Sequence, residues 1–146
     1  MALTWVIVAD GARARFFEHN SDRSAQLEEF DAMVSPQHRL HEADLRSDRA
    51  GRTFDSRGRG RHAMEPVHTA RDHETQVFAR DLAAHIEDAR IAGYLDKLIL
   101  IAPPKFLGQL RSSLCSNALK LVVHSIDKEL TKASSEEVAR HLPRFF

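Results

Sequence analysis

Two parts of this chain carry residue types that can do chemistry. One is a carboxylate closing an apolar run, Asp10 in "TWVIVADG". The other is "GRTFDSRGRGRHAMEP" (51–66), where Gly51, Gly58 and Gly60 are set among Arg52, Arg57, Arg59 and Arg61. An acid at the tip of a first strand is a place where two-metal hydrolases hold a cation. That chemistry needs several converging carboxylates, so that two ions stand about 3.5–4 Å apart. The later apolar run "LILIAPP" ends without an acid, and Glu74 and Asp81 show no special spacing. Asp10-Gly11 is also a turn dipeptide, and closing a hairpin suffices to account for it. The expectation is no catalytic residue, with Asp10 as the alternative.

The Gly/Arg run is better suited to binding. Arginine makes bidentate phosphate contacts and stacks on exposed bases, while glycine lets a backbone approach closely. With Phe54 and His62 alongside, the expected contact set is Arg52, Phe54, Arg57, Arg59, Arg61 and His62, and RNA or the ribosome is the expected partner. Across 36–71 the charge is uneven: eight of the sixteen arginines fall between Arg39 and Arg71, against Glu42, Asp44, Asp48, Asp55 and Glu65. Eight minus five leaves +3, a modest attraction on the scale of phosphate-driven binding. The competing readings are a protein partner, a solvated inert loop, or docking of a twin subunit through Phe54-Asp55-Ser56-Arg57, which would make a homo-oligomer. His38 and His41, three apart, with His62 or His68 would make a zinc set, but they form no ligand motif. No metal or cofactor is expected.

The other reactive side chains read as structural. Cys115 ends an apolar helical stripe and is expected to be a buried thiol. His85 and His124 lie on apolar elements and are expected to be partly buried. Trp5, Phe16 and Phe17 are expected to pack. Ser112, Ser113 and Ser116 lie in no nucleophile elbow, and no Walker loop or dinucleotide fingerprint occurs. The 146 residues are 42% hydrophobic and 29% charged with a formal net charge of zero, so no global field favours nucleic acid or a membrane. One cysteine excludes an intrachain disulfide. The first apolar run has no basic leader and is too short for a signal or a span, so a cytoplasmic location with no membrane partner is expected.

Positioning these residues requires a sheet. "TWVIVAD" and "RARFFEH" read as a hairpin, with Ala14 and Phe16 on one face and Arg13, Arg15 and Phe17 on the other. Leu27–Val34 adds a third strand, stopped by Ser35-Pro36. Residues 36–71 show no periodicity and are expected to be a long, weakly protected loop. A helix follows, capped at Asp72 and ended at Gly93, with Phe78, Leu82, Ile86 and Ala89 on its inner stripe. "DKLILIAPP" suits a central strand buried on both faces. "KFLGQLRSSLC" is a helix opened by Pro103-Pro104. "LKLVVHSI" is a fifth strand, and "SSEEVARHL" is a last helix with Ser134 and Glu137 in capping-box spacing. The order β-β-β-loop-α-β-α-β-α predicts one α/β domain over 1–146. It resembles the ribonuclease H-like fold, a three-layer structure on a mixed five-stranded sheet of order 3-2-1-4-5 in which strand 2 runs against the others.

Four stretches, "WVIVADGARARFFE", "DRAGRTFDSRGRGRHAMEP", "FARDLAAHIEDA" and "LILIAPPKFLGQLR", together resemble the host attachment protein family, bacterial proteins described as required for attachment to host cells. They cover most of the chain in the family's order. More distantly, the chain resembles the middle domain of peptidyl-tRNA release factors and Pelota, whose Gly-Gly-Gln tip lies between the third strand and the first helix. The Gly/Arg run occupies that slot. No Gly-Gly-Gln occurs in this sequence, so the resemblance implies an RNA- or ribosome-facing loop rather than peptidyl-tRNA hydrolysis.

Overall fold

The computed structural model describes residues 3–20, 26–36 and 67–143. The Gly/Arg run, and with it Arg52, Phe54, Arg57, Arg59, Arg61 and His62, lies outside the described residues. Five strands, β1 (Leu3–Ala9), β2 (Arg13–Asn20), β3 (Glu28–Val34), β4 (Lys97–Ile101) and β5 (Val122–Ile126), form one sheet in the order β3-β2-β1-β4-β5. β2 runs antiparallel to β1 and β3, whereas β4 is parallel to both β1 and β5. The helices are α1 (Val67–Ala92), α2 (Pro104–Ser113), α3 (Ser116–Leu119) and α4 (Ser135–Arg140).

Strand alternation sorts the core into two faces. Trp5, Ile7 and Ala9 of β1, Ala14 and Phe16 of β2, and Leu98 and Leu100 of β4 meet the inner stripe of α1 (Phe78, Leu82, Ile86, Ala89) and Phe106, Leu107 and Leu110 of α2. On the opposite face Val6, Val8, Phe17, Ile99 and Ile101 pack with Leu27 and with Val138 of α4. β4 is buried on both faces because parallel neighbours flank it and helices cover it.

Local chemistry sets the ends of the elements. Gly93 adopts φ +80°, and the Tyr94 N–H reaches the Ala89 carbonyl (3.0 Å), so α1 stops in a glycine-terminated cap. Pro104 opens α2, where a missing N–H costs nothing. The Ser134 hydroxyl oxygen accepts from the Glu137 N–H (3.2 Å) at the start of α4.

Four expectations need correction. α1 starts at Val67, so 67–71 belong to a helix rather than to the loop, and Asp72 sits inside the helix. Residues 67–71 contain no helix breaker, and nothing in the first turns stops the helix extending back past the capping signal. Its carboxylate instead meets the Lys105 ammonium at 2.6 Å. The fifth strand begins at Val122, because Ser116–Leu119 form a short helix. Cys115 is exposed: Leu114 takes the last buried position, and Cys115 turns outward at the head of α3. His124 is exposed as well, on a strand at the edge of the sheet.

Candidate functional site

β1, β3, β4 and β5 all run the same way, so their carboxyl ends form one rim, and Asp10 stands on it directly after β1. In open α/β sheets the crevice outside the carboxyl ends of the strands is the usual ligand position. The Asp10 Oδ1 accepts from the N–H groups of Ala12 (2.7 Å) and Arg13 (2.9 Å), while its own N–H donates to the Arg13 carbonyl (2.9 Å). This carboxylate therefore holds the β1–β2 turn closed. Its other oxygen, Oδ2, lies 3.1 Å from the Thr131 hydroxyl, which is 2.6 Å from Glu129 Oε1 as well. One hydroxyl proton can serve only one of these two acceptors at a time.

Two open clefts meet at Asp10. The first runs towards 129–137 and is lined by Glu129, Thr131, Lys132 and Glu137. The second lies towards α1 and is lined by Gly11, Ser35, Arg71, Glu74 and Thr75. Glycine is required at position 11 by proximity: a Cβ there would stand 2.5 Å from Thr75 Cγ2. That approach brings α1 hard against the hairpin turn. Among the described residues that line the two clefts, Asp10, Glu74, Glu129 and Glu137 outnumber Arg71 and Lys132. Among the described residues no group of three or more His, Cys, Asp or Glu side chains is arranged to hold a metal ion. Asp81 is exposed on α1, and neither it nor the end of β4 adds a carboxylate beside Asp10.

A third groove lies between α1 and α2, lined by Gln76, Arg80, Gly108, Gln109, Ser112 and Ser113. No acid lines it. Ser113 is turned back, its hydroxyl donating to the Gln109 carbonyl (2.9 Å).

Sequence reasoning passed over Arg15, which organises the wall of the first cleft. Its Nη1 donates to the carbonyls of Thr131 (3.1 Å) and Ala133 (2.6 Å). Nε and Nη2 grip the Glu29 carboxylate at 2.9 and 2.8 Å, and the guanidinium lies 4.9 Å from the Phe17 ring centre. The hydrogen bonds from Arg15 hold the Glu29 carboxyl below its ordinary value, against an opposing effect of burial. The only signal in the sequence was its place beside Phe17 on the face away from α1.

The remaining candidates are peripheral to the rim. The exposed Cys115 thiol donates to Glu87 Oε2 (3.3 Å). That carboxyl is pulled down to about 2, first by hydrogen bonds from Arg90 and then by the thiol. His85 is half-buried over Phe16, with ring centres 5.0 Å apart, and its Nε2 is 3.9 Å from Asp31 Oδ2. Trp5, Phe16 and Phe17 are core residues. Phe30 is the extra residue of a bulge opposite Phe16 and Phe17 and lies half-exposed against Trp5, with ring centres 4.9 Å apart. No helix among the described residues is long and apolar enough to cross a membrane.

A protein of Rickettsia prowazekii (strain Madrid E), named "Uncharacterized protein RP470", is 35% identical over 79 residues, which is 53% of this chain and 53% of that protein. The match thus spans about half the length of that relative. The family model described as "Protein required for attachment to host cells" matches residues 5–142, from within β1 to beyond α4. With almost the whole sheet-and-helix framework inside that match, the chain belongs to the host attachment protein family.

Proposed function

We propose that this family member is a non-enzymatic binding module that contacts RNA through residues 51–66, acting in the cytoplasm, with the ribosome as the favoured setting. The carrying observation is where the described residues on either side of that segment stand. Ser35 follows β3 and its N–H donates to the Ala12 carbonyl (2.8 Å), while α1 passes against Gly11 at Thr75. Both flanks therefore lie at the carboxyl rim, where ligands of open α/β sheets bind. The described lining of the two clefts at Asp10 carries more acids than bases, so attraction for RNA at the rim itself would come from the arginines of 51–66.

The sheet order, with only β2 reversed, supports reading the fold as ribonuclease H-like. The ribosomal setting rests on fold-level analogy with the release-factor and Pelota middle domain, whose tip loop occupies the same slot. The family description names a phenotype and leaves the chemistry open. A second reading, a metal-dependent hydrolase using Asp10, draws on the two clefts that meet there. The turn hydrogen bonds of Asp10 weigh against it.

The test is the triple variant Arg57→Ala, Arg59→Ala, Arg61→Ala, assayed for binding to single-stranded RNA and to ribosomes at several salt concentrations. Each lost phosphate contact lowers the salt slope by about 0.7, so three should flatten it by roughly two. Equal binding by parent and variant would end this reading and favour a protein partner or a second copy of the chain. RNA cleavage with Mg²⁺ or Mn²⁺ that disappears in Asp10→Asn would promote the hydrolase.

A further inference from the structure

The groove between α1 and α2 lacks the acids that line the two clefts at Asp10. Its walls are built from residues four apart, which share a helix face: Gln76 and Arg80 on α1, Gly108 with Ser112 and Gln109 with Ser113 on α2. Arg80 is exposed and makes no ion pair with a described residue. Gln76, Gln109 and Ser112 add neutral donors and acceptors of the kind that hold sugar and phosphate oxygens.

Gly108 is the unexplained member. It lies inside α2, where glycine weakens a helix relative to alanine. Its φ is not positive, and a Cβ placed there would meet nothing within 4 Å. Packing within the described chain therefore gives no reason for glycine here, in contrast to Gly11 and Gly93. An exposed bare backbone in the lining of a polar groove suits close approach of a ligand.

We propose that this α1/α2 groove, lined by Gly108 and Arg80, binds the phosphodiester backbone of single-stranded RNA. The inference rests on the reading of the protein as an RNA-binding module and adds a surface on the folded body to the contact through 51–66. Arg80 supplies the charge, the glutamines and Ser112 supply directional hydrogen bonds, and Gly108 admits the chain. Sequence readout is not expected, because backbone contacts position a strand without reading its bases.

The experiment measures fluorescence anisotropy of a labelled single-stranded RNA of mixed sequence with the full chain at several salt concentrations. The variants are Arg80→Ala, Gly108→Gln, Gly108→Ala and the triple Arg57, Arg59, Arg61 alanine variant. Arg80→Ala should weaken binding about five- to tenfold and lower the salt slope by about 0.7. Gly108→Gln should weaken binding by a similar factor with the salt slope unchanged, because it blocks the groove without altering charge. Its melting temperature should equal or exceed that of the parent, since glutamine favours helix. If Gly108→Gln fails to fold, Gly108→Ala provides the steric test, with a smaller loss of affinity and a raised melting temperature. Parental affinity in both Arg80→Ala and the folded Gly108 variant would overturn the groove while leaving the 51–66 contact standing, if the triple variant is weakened. A weakened groove with an unaffected triple variant would overturn the 51–66 contact instead. No RNA binding by the parent would overturn both.

Discussion

The two faces of the sheet are covered by different means. On one face α1 and α2 lie over Trp5, Ile7, Phe16, Leu98 and Leu100, and the cover is helical and almost wholly apolar. On the other, Val6, Val8, Phe17, Ile99 and Ile101 are covered by the short α4 and by the irregular segment from Leu130 to Ala133. A helix satisfies its own backbone groups, so side-chain burial alone can dock it; an irregular segment brings carbonyls that need donors from elsewhere. Arg15 meets that need with two hydrogen bonds, to Thr131 and Ala133, and is itself fixed by Glu29. One face is held by area and the other by a polar pin.

That contrast can be broken by mutation. Leu82→Ala, at a fully buried site under α1, should cost about 2–5 kcal/mol in denaturant unfolding. Val138→Ala on the opposite face removes less apolar surface and should cost about 2 kcal/mol. Equal losses at the two sites would mean that the faces contribute alike. Arg15→Ala should cost about 1–3 kcal/mol, by leaving carbonyls without their charged donor. Its signature should be faster amide exchange confined to 129–134, and uniform acceleration across the sheet would show that Arg15 is not a local pin.

Smaller effects sharpen the same point. Ser134→Ala removes the cap of α4 and should cost about 1 kcal/mol, lowering the melting temperature without disturbing the α1 face. The Arg15–Glu29 pair also sets a pH dependence. The Glu29 carboxyl lies below the ordinary carboxylate value of 4.5 in the folded protein, through its hydrogen bonds to Arg15. A depressed folded pKa contributes stability that is fully present above 4.5 and is lost as pH falls through the folded value. The stability difference between parent and Glu29→Gln should therefore shrink as acid is added below 4.5, as followed by unfolding at a series of pH values. A difference that stays constant with pH would show that the charge of Glu29 contributes nothing.

How much was legible in advance depended on whether the signal was local. The β1–β2 hairpin, the double burial of β4, the opening of α2 at Pro104, the end of α1 at Gly93 and the cap at Ser134 each follow from a few adjacent residues. The start of α1 was misread because Asp72 carries a capping signal, yet nothing before it prevents a helix; such a signal marks only where a helix can begin. Cys115 and His124 were misjudged because apolar neighbours predict burial only if another element arrives to cover them. The bulge at Phe30 is likewise a matter of pairing with β2, which the alternation of β3 alone does not record.

By itself the sequence determined the five strands and the three longer helices, their order and the two faces of β2. Periodicity and turn chemistry act over a few residues, and the family match over residues 5–142 spans the same framework. Only the tertiary structure decided that Asp10 would join two clefts, that Arg15 would reach across to Thr131 and Ala133, and that Gly108 would line a groove with Arg80. These are meetings of residues 28 to 121 positions apart, as in Arg80 with Gly108 and Asp10 with Thr131. The order in which strands and helices pack brings such residues together, and no local run of sequence records that order.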